Sequence, residues 1–218
     1  MAPLMLDLFC GTKSVSRIFA AHGWDTFTLD VDPACTADLT CDILDLQREQ
    51  LPPAESVFFI WASPPCTQYS RARTNTKRPR DLEGSDRIVA KALRVIDEWF
   101  PGTPHCMENP MGLLPTRAVV QGRPFSVVSY CKYTRPGDGF PGYRKDTALW
   151  HNLQWTPRPP CRSGGRCEHY KDGRHPAVVE RWRKHAMNGA REGFSLDQLH
   201  SIPPALIGEI VNAAVGGF

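Results

Sequence analysis

The sequence predicts an α/β fold with a mostly parallel sheet, and two features of the chain support this class. Strand patterns and amphipathic helix patterns alternate through most of the sequence, as in chains that fold into a sheet covered by helices. In addition, residues 56–63 (SVFFIWAS) are apolar almost without interruption, which is typical of a parallel strand buried on both faces. With 218 residues, the chain is long enough to form one domain around a sizeable core.

The individual elements follow from the hydrophobic periodicity and from the residues that start and stop helices. A first helix is expected within residues 13–24, where Gly23 ends the helical pattern. A second helix is expected to have Ser85 as its N-cap and to end before the Pro-Gly pair at residues 101–102. A third, short helix follows the turn SIPP near residue 204. Strands are predicted at residues 3–9, 25–32, 56–63, 104–110, 125–133 and 146–150.

The alternation of strands and helices breaks after residue 151, and this break divides the chain. Residues 152–195 are rich in Pro, Gly and Arg and show no strand or helix period, so they are expected to form a small inserted, loop-rich subdomain. Residues 1–151 are the predicted core. Residues 196–218 contain the last helix, which is expected to pack back on the sheet.

The net charge of +3 conceals an asymmetry along the chain. Residues 1–60 carry nine acidic and three basic side chains, whereas residues 158–191 carry nine basic and three acidic ones. Residues 71–80 (RARTNTKRPR) add five basic side chains and no acidic one. A basic surface of this kind suits a polyanion such as nucleic acid, although a solvated charged face would have the same composition.

The sequence also predicts an intracellular, cytoplasmic protein. No apolar run approaches the roughly 20 residues that span a bilayer. The first residues, MAPLMLDLFCG, lack the charged region and the cleavage site of a secretory signal. In such a chain, the eight cysteines are expected to be reduced, catalytic or metal-binding rather than joined in disulfides.

Polar motifs are predicted at the carboxyl ends of the strands, which is where doubly wound sheets bind their ligands. The first motif is the turn DLFCGT (residues 7–12), followed by Asp30 at the spacing of a ribose-binding carboxylate. A glycine turn is a common feature by itself. Lys13 and Ser14 break the glycine pattern of nicotinamide-binding proteins, so this motif disfavours a nicotinamide oxidoreductase.

Three further motifs carry reactive or charged groups. In SPPC, two prolines present Cys66 on a rigid turn. In ENP, Glu108 closes an apolar strand and is a candidate proton donor. Arg144 and Lys145 form a basic pair before a late strand. Each motif also has a simpler interpretation: a buried structural cysteine, a turn-capping carboxylate and a solubilising basic pair.

Within the insertion, four residues follow the pattern C-x5-C-x-H-x5-H. Two cysteines and two histidines suit tetrahedral zinc, and a loop-rich segment with little apolar content needs a stabilising link. The spacing matches no common zinc finger, and unrelated cysteines in a basic loop are the alternative. The candidate ligands of one structural zinc are therefore Cys161, Cys167, His169 and His175.

Taken in order, DLFCGT, SPPC, ENP and the basic pair resemble the motifs of the DNA (cytosine-5) methyltransferases. The segment SIPPALIGEI is similar to that family's closing motif, which returns to the cofactor pocket. The resemblance covers residues 4–150 and 201–216. The stretches WASPPCTQYSRAR and YCKYTRPGDGFPGYRKDTALW look most like compact phage-type members. The resemblance implies a Rossmann-like class I S-adenosylmethionine-dependent methyltransferase fold, with the insertion in the place of the target-recognition region.

The resemblance also implies a reaction: methyl transfer from S-adenosylmethionine to carbon 5 of a cytosine in DNA, by a monomer. Cys66 would add as a thiolate to carbon 6 while Glu108 holds N3 and the exocyclic amine, and the resulting enamine would accept the methyl group. The base must first be flipped out of the stack. Arg144 matches the first arginine of the family's basic motif. The second is replaced, which leaves Asp146 in its register with Lys145 beside it.

Further residues take their expected roles from the same resemblance. The expected cofactor-binding residues are Asp7, Phe9, Gly11, Asp30, Asp42 and Pro64, with Asp30 at the ribose and Asp42 at the adenine amine. The expected nucleic-acid contacts are Ser70, Arg71, Arg73, Lys77, Arg78 and Lys145. The short insertion leaves few residues for base-edge contacts, so recognition of a long sequence is not expected.

Alternatives to this function stay open at the level of the sequence. The same catalytic residues would serve cytosine-5 methylation of RNA, such as tRNA. A related sulfonium donor carrying a modified group would require a change of only one or two pocket residues. A non-catalytic nucleic-acid-binding relative is also conceivable, but it would have no use for the intact Cys66 and Glu108.

Overall fold

The computed structural model describes residues 2–71, 73, 78–140, 142–162, 167–170, 175 and 200–216. Its centre is a seven-stranded sheet. The strands are β1 (Leu4–Leu8), β2 (Asp25–Asp30), β3 (Leu39–Thr40), β4 (Val57–Ala62), β5 (His105–Pro110), β6 (Ser126–Ser129) and β7 (Asp146–His151). Their order across the sheet is β3-β2-β1-β4-β5-β7-β6.

Strand direction is uniform except at one place. The pairs β1–β2, β2–β3, β1–β4 and β4–β5 are all parallel. Strand β7 lies between β5 and β6 and is antiparallel to both. The carboxyl ends of β1, β2, β4 and β5 therefore meet at one edge of the sheet, and this confirms the predicted α/β class with a mostly parallel sheet.

Three α-helices among the described residues cover the two faces of the sheet: α1 (Ser16–Ala21), α2 (Leu82–Arg94) and α3 (Pro204–Val215). A single π-turn, Val95–Trp99, continues α2. Alternate residues of β1 and β4 point to opposite faces, as the strand repeat requires. Leu6 and Ile60 pack on the side of α2, whereas Met5 and Phe59 pack on the side of α1 and α3.

Two helix starts differ from the sequence prediction, and both differences have a local cause. The N-cap of α2 is Asp81, whose carboxylate accepts a hydrogen bond from the backbone N–H of Gly84 at 2.8 Å. Ser85 lies one turn inside the helix, and its hydroxyl donates to the Asp81 carbonyl. Helix α1 begins only at residue 16 because Lys13 adopts a left-handed backbone conformation (φ +56°) that a right-handed helix cannot contain.

Strand β6 is shorter than predicted, because the chain turns into a 3-10 helix at Tyr130–Lys132. The two-residue strand β3 was not predicted, since a strand of this length carries no periodicity. The strands predicted at residues 3–9, 25–32, 56–63, 104–110 and 146–150 are confirmed to within two residues at each end.

The first part of the predicted insertion runs along the core. The indole N–H of Trp155 donates to Glu209 on α3 at 3.3 Å, and the guanidinium of Arg158 pairs with the same carboxylate at 2.7 Å. The backbone N–H of Arg158 also donates to the hydroxyl of Tyr133 at 2.9 Å. The division of the chain at residues 151 and 195 stays a prediction. None of the helices in the described ranges has the length and apolar character needed to cross a bilayer.

Candidate active site

A cavity of about 540 Å³ opens at the carboxyl edge of the sheet. Its walls come from the turns after β1 and β4, the ends of β2 and β5, the start of β7 and the segment before α3. The structure therefore brings together motifs that are up to about 190 residues apart in the chain. The predicted site residues that line this cavity are Asp7, Phe9, Gly11, Asp30, Pro64, Cys66, Glu108 and Lys145.

The turn after β1 is held in an unusual backbone conformation. Phe9 (φ +65°), Gly11 (φ +47°) and Lys13 (φ +56°) all lie in the left-handed region, which is costly for the two residues other than glycine. The backbone N–H of Gly11 donates to Asp30 Oδ2 at 2.9 Å, and the N–H of Asp32 donates to Asp30 Oδ1 at 2.9 Å. Both oxygens of Asp30 are thus fixed by the backbone, and each keeps a lone pair for a ligand hydroxyl.

Asp7 lies at the base of this turn and is almost completely buried, with 1% of its surface exposed. Its carboxylate accepts a hydrogen bond from the backbone N–H of Ser16 at 3.3 Å. Burial raises the pKa of Asp7 to about 7, and the hydrogen bond from Ser16 opposes this shift without cancelling it. The cavity therefore contains a carboxyl group that gains or loses its proton near neutral pH.

The turn that carries Cys66 is fixed from both sides. The carbonyl oxygen of Cys66 accepts hydrogen bonds from the backbone N–H groups of Tyr69 (3.0 Å) and Ser70 (2.9 Å). Two residues earlier, the carbonyl of Pro64 accepts from the side-chain Nδ2 of Asn109 at 2.9 Å. Burial raises the pKa of the Cys66 thiol, the negative charge of Glu108 raises it further, and Lys145 lowers it. The resting side chain is therefore a thiol.

Glu108 lies on β5 and is buried, with 6% of its surface exposed. Its Oε1 accepts a hydrogen bond from the hydroxyl of Tyr130 at 2.9 Å. Complete burial and the nearby carboxylate hold the pKa of Tyr130 well above its usual range, so the phenol stays a donor. Sequence reasoning missed the role of Tyr130: it begins the quoted stretch YCKYTRPGDGFPGYRKDTALW, but its partner is 22 residues away and no local pattern links the two.

The structure separates the two members of the basic pair. Arg144 does not line the cavity; its guanidinium forms an ion pair with Asp146, with Nη2 at 2.6 Å from Oδ2. Lys145 lines the cavity instead, and its Nζ lies 4.8 Å from the centre of the Tyr130 ring. Of the two, Lys145 is therefore the one that lies at the cavity, and the catalytic role of Arg144 stays a prediction.

The adenine contact expected of Asp42 also differs. Asp42 is exposed, does not line the cavity, and accepts a hydrogen bond from the backbone N–H of Leu44 within its own turn at 2.9 Å. The wall next to Asp30 is built instead by residues just after β2. Other lining residues that sequence reasoning missed are Asp32, Ala34, Cys35, Trp61, Thr67 and His200. Asp32 was detectable as the second acid of the strand-end sequence DVD, whereas His200 carries no sequence signal.

The basic loop after Cys66 contains side chains of two kinds. Arg71 and Arg78 are exposed. Arg73 is half-buried, and its guanidinium donates to the side-chain oxygen of Gln68. Arg80 donates to the carbonyls of Ser70 (2.9 Å) and Arg73 (3.0 Å), and these hydrogen bonds stabilise the shape of the loop. Lys77 lies outside the described residues.

The predicted zinc ligands are brought together only in part. The thiols of Cys161 and Cys167 and the imidazole of His175 lie in one cluster, but the fourth member is Cys131. His169 turns away, and its Nε2 lies within hydrogen-bond distance of the hydroxyl and the carbonyl of Thr134 (2.9 and 3.0 Å). His169 therefore lies outside this cluster, in which the turn after β6 contributes a thiol, and the predicted set of zinc ligands stays a prediction.

The strand order β3-β2-β1-β4-β5-β7-β6, with β7 antiparallel to its neighbours, is that of the class I S-adenosylmethionine-dependent methyltransferase fold. No protein-family model matches the chain. The chain is 29% identical over 224 residues to the "Probable DNA (cytosine-5)-methyltransferase" of Frog virus 3 (isolate Goorha), covering 95% of this chain and 98% of that protein. This similarity confirms the resemblance to the DNA (cytosine-5) methyltransferases that the motifs predict.

Two solved structures are similar at a lower level. The Dnmt2 methyltransferase of S. pombe has a TM-score of 0.44 and 14% sequence identity, covering 73% of this chain and 52% of that one. The methyltransferase EhMeth of Entamoeba histolytica has a TM-score of 0.41 and 11% identity, covering 74% of this chain and 58% of that one. The chain thus spans little more than half the length of either structure.

Proposed function

We propose that the protein transfers a methyl group from S-adenosylmethionine to carbon 5 of a flipped cytosine in DNA, through a covalent adduct at Cys66. The single observation that carries this proposal is the cavity in which the Cys66 thiol and the buried Glu108 carboxyl lie with the strained turn at Phe9 and the anchored Asp30. A nucleophile, a proton-donating group and a nucleoside-binding carboxylate are what this reaction needs in one place.

The wall formed by β1 and β2 fits S-adenosylmethionine. The left-handed turn at Phe9 and Gly11 opens the backbone toward the cavity, and Asp30 presents two fixed oxygens that can accept from ribose hydroxyls. The cavity volume of about 540 Å³ lies within the range of small-molecule sites, roughly 300–1,000 Å³. When bound, this cofactor supplies an electrophilic methyl group.

Cys66 must lose its proton before it can add to carbon 6 of the base. In the resting site, burial and the Glu108 carboxylate both oppose the thiolate. When a cytosine is bound, the proton that leaves Cys66 is taken up between Glu108 and N3 of the base. The opposing negative charge is thereby neutralised as the thiolate forms, while Lys145 continues to favour the thiolate. Formation of the nucleophile is thereby coupled to the arrival of the correct base.

Glu108 and Tyr130 together orient the base. The hydrogen bond from the Tyr130 hydroxyl to Oε1 fixes the Glu108 carboxyl, and it leaves Oε2 and a lone pair on Oε1 for N3 and the exocyclic amine of cytosine. Protonation at N3 withdraws electrons from the ring, so carbon 6 accepts the thiolate and carbon 5 becomes nucleophilic. Loss of the C5 proton to water and departure of the Cys66 thiolate from carbon 6 then restore the ring double bond. The proton held between N3 and Glu108 returns to the thiolate, which regenerates the enzyme.

Lys145 takes the role expected of Arg144. It lines the cavity at the start of β7, whereas the guanidinium of Arg144 is paired with Asp146. An ammonium group here supports the thiolate and reaches the rim where a base and its phosphate would enter. The exposed Arg71 and Arg78 on the loop after Cys66 contact the DNA backbone in this proposal.

The test is methyl transfer by the purified protein, with isotope-labelled S-adenosylmethionine and separate DNA and tRNA substrates. Mass spectrometry of the hydrolysed nucleosides should find labelled 5-methylcytosine from DNA. Cys66→Ser should give none, whereas Cys41→Ser, a half-buried cysteine outside the cavity, should match the wild type. Label in tRNA alone would replace DNA by RNA as substrate. Full activity of Cys66→Ser would refute the mechanism.

A further inference from the structure

Three thiols and one imidazole from two distant parts of the chain meet beside the end of β6. Cys131 lies in the 3-10 turn Tyr130–Lys132, and Cys161, Cys167 and His175 belong to the predicted insertion. Their ligand atoms all lie within 4.8 Å of one another. Cys131 and Cys161 are buried, so these are not groups that meet by chance at the surface.

The distances suit tetrahedral zinc. With Zn–S near 2.3 Å and Zn–N near 2.0 Å, a tetrahedral site has S···N separations of about 3.6 Å and S···S separations of about 3.8 Å. Cys161 Sγ and His175 Nε2 are 3.6 Å apart. The largest separation in the cluster exceeds the ideal S···S edge by only about 1 Å, which a small shift of the side chains removes.

His169 is held in a different role. Its Nε2 lies at hydrogen-bond distance from Thr134, and the other side of its ring packs flat against Gly142. A Cβ at position 142 would come within 2.0 Å of His169 Nδ1, so only glycine permits this contact. His169 therefore fastens the insertion to residues 134 and 142 without binding the ion.

The cluster is connected to the proposed active site. The backbone N–H of Cys161 donates to the hydroxyl of Ser129 at 2.9 Å, and that hydroxyl donates in turn to Asp146. Asp146 is the residue after Lys145 and the partner of Arg144. A second connection runs through Cys131. This residue directly follows Tyr130, whose hydroxyl donates a hydrogen bond to Glu108.

The charge of Arg144 also suits a metal at this place. Three thiolates and one neutral imidazole around Zn²⁺ have a net charge of about −1, which requires compensation in a buried setting. Arg144 lies close enough to interact electrostatically with the thiols of both Cys131 and Cys161. This gives a physical reason for its position outside the cavity.

We propose that Cys131, Cys161, Cys167 and His175 bind one structural zinc ion, which locks the insertion to the core next to Tyr130. The geometry of the cluster carries this inference, which is independent of the methyl-transfer proposal. The ion would tie the turn at Cys131 to the insertion. The position of the neighbouring Tyr130 hydroxyl would then depend on the insertion as well.

Metal content and cobalt spectroscopy test the site. Elemental analysis of the reduced full-length protein should find about one zinc per chain. Cys131→Ser and Cys167→Ser should each lose the ion, whereas His169→Gln and the control Cys41→Ser should retain it. Co²⁺ bound to the wild type should show tetrahedral bands with the charge-transfer intensity of three thiolates. Because this spectrum is recorded on the wild type, it tests the site even if a substituted protein does not fold.

Several outcomes would overturn the proposal. If His169→Gln lost the zinc and Cys131→Ser retained it, the ligands would instead be those predicted from the sequence: Cys161, Cys167, His169 and His175. Equal metal content in all variants would show an adventitious ion only. A protein that binds no zinc when supplied with excess metal under reducing conditions, or one in which two of the three thiols are joined in a disulfide, would show that no metal site exists.

Discussion

The side chain of Asn109 donates a hydrogen bond to the carbonyl oxygen of Pro64 over 2.9 Å, although the two residues are 45 positions apart. Asn109 is completely buried on β5, one residue after Glu108. Pro64 lies two residues before Cys66. The bond therefore fixes the distance between the turn that presents the thiol and the strand that presents the carboxyl.

Asn109→Ala should impair methyl transfer more than stability. The loss leaves the Pro64 carbonyl without a partner and costs about 1–3 kcal/mol in the free energy of unfolding. The turn at Cys66 is then free to shift, so we expect kcat to fall by about 100-fold, since displacement by 1 Å has effects of this size. Stopped-time assays of labelled methyl incorporation measure kcat.

The matched control is Asn152→Ala. This asparagine links the start of β5 to the end of β7, at the edge of the sheet away from the cavity. The Asn152 side chain accepts from the N–H of His105 at 2.8 Å and donates to the carbonyl of Thr103 at 3.1 Å. It should reduce stability without a specific loss of kcat. Equal kcat values for the two variants would show that the bond to Pro64 has no part in positioning the nucleophile.

Cys66→Ser should abolish methyl transfer and leave the binding of S-adenosylmethionine nearly unchanged. The hydroxyl of serine is a far weaker acid than the thiol and is not deprotonated by this site. DNA containing 5-fluorocytosine should trap the wild type as a covalent adduct, because fluorine at carbon 5 cannot leave. Peptide mapping should place the adduct at Cys66, and an adduct at another cysteine would identify a different nucleophile.

Glu108→Gln should keep the fold and reduce the chemical step by at least about 100-fold, because proton donation typically contributes that much. Tyr130→Phe removes only the hydrogen bond to Glu108 Oε1 and should reduce kcat by about 10-fold. Both should leave cofactor affinity unchanged. Single-turnover rates with saturating DNA separate this effect from binding.

Tyr133→Phe is the matched control for Tyr130. Tyr133 ends the same turn and is equally buried, but its hydroxyl accepts from the backbone N–H of Arg158 instead of contacting Glu108. Its loss should affect stability without a selective effect on the chemical step. If Tyr130→Phe behaved in the same way, Tyr130 would be a packing residue only.

The sequence was informative where a local pattern decides the structure. The apolar run of β4 and the strand-turn-helix at DLFCGT are local patterns, and Cys66 and Asp30, which were predicted at the strand ends, both line the cavity. The orientation of the pair Arg144 and Lys145 depends on the register of β7 with β5, since a shift by one residue exchanges the faces. Likewise, Cys131 lies 30 residues before Cys161, in a stretch whose strand pattern gives no sign of a turn.

The free energy of unfolding should depend on pH through Asp7. Its pKa is about 7 in the folded protein and near 3.8 in the unfolded chain, so the folded state binds more protons between these values. Stability contributed by this group therefore falls as the pH rises from about 4 to about 7, by on the order of 4 kcal/mol, and is constant above that. Urea unfolding between pH 4 and 8 measures this dependence.

Asp7→Asn should remove that part of the pH dependence, because an amide of the same shape does not titrate. Asp25→Asn, at an exposed position at the start of β2, should leave the profile of the wild type unchanged. An identical pH profile for wild type and Asp7→Asn would show that Asp7 ionises at its usual pKa in the folded protein.

The basic loop after Cys66 should contain two separable functions. Arg71 and Arg78 are exposed, so replacing both with alanine should weaken binding to all DNA sequences alike. The dependence of log K on log salt should become shallower by nearly one unit for each phosphate that the protein no longer neutralises. An unchanged salt dependence would show that this part of the loop is a solvated surface.

Arg80→Ala should behave differently from the replacement of Arg71 and Arg78, although it also removes a positive charge from the loop. Its guanidinium donates to the carbonyls of Ser70 and Arg73 and so holds the loop in its shape beside Cys66. The salt dependence should therefore stay close to that of the wild type, while kcat falls because the loop no longer closes reproducibly over the base. Binding by fluorescence anisotropy at several salt concentrations, with kcat measured on the same DNA, separates the two effects. A shallower salt dependence with normal kcat would show that Arg80 binds a phosphate as its neighbours do.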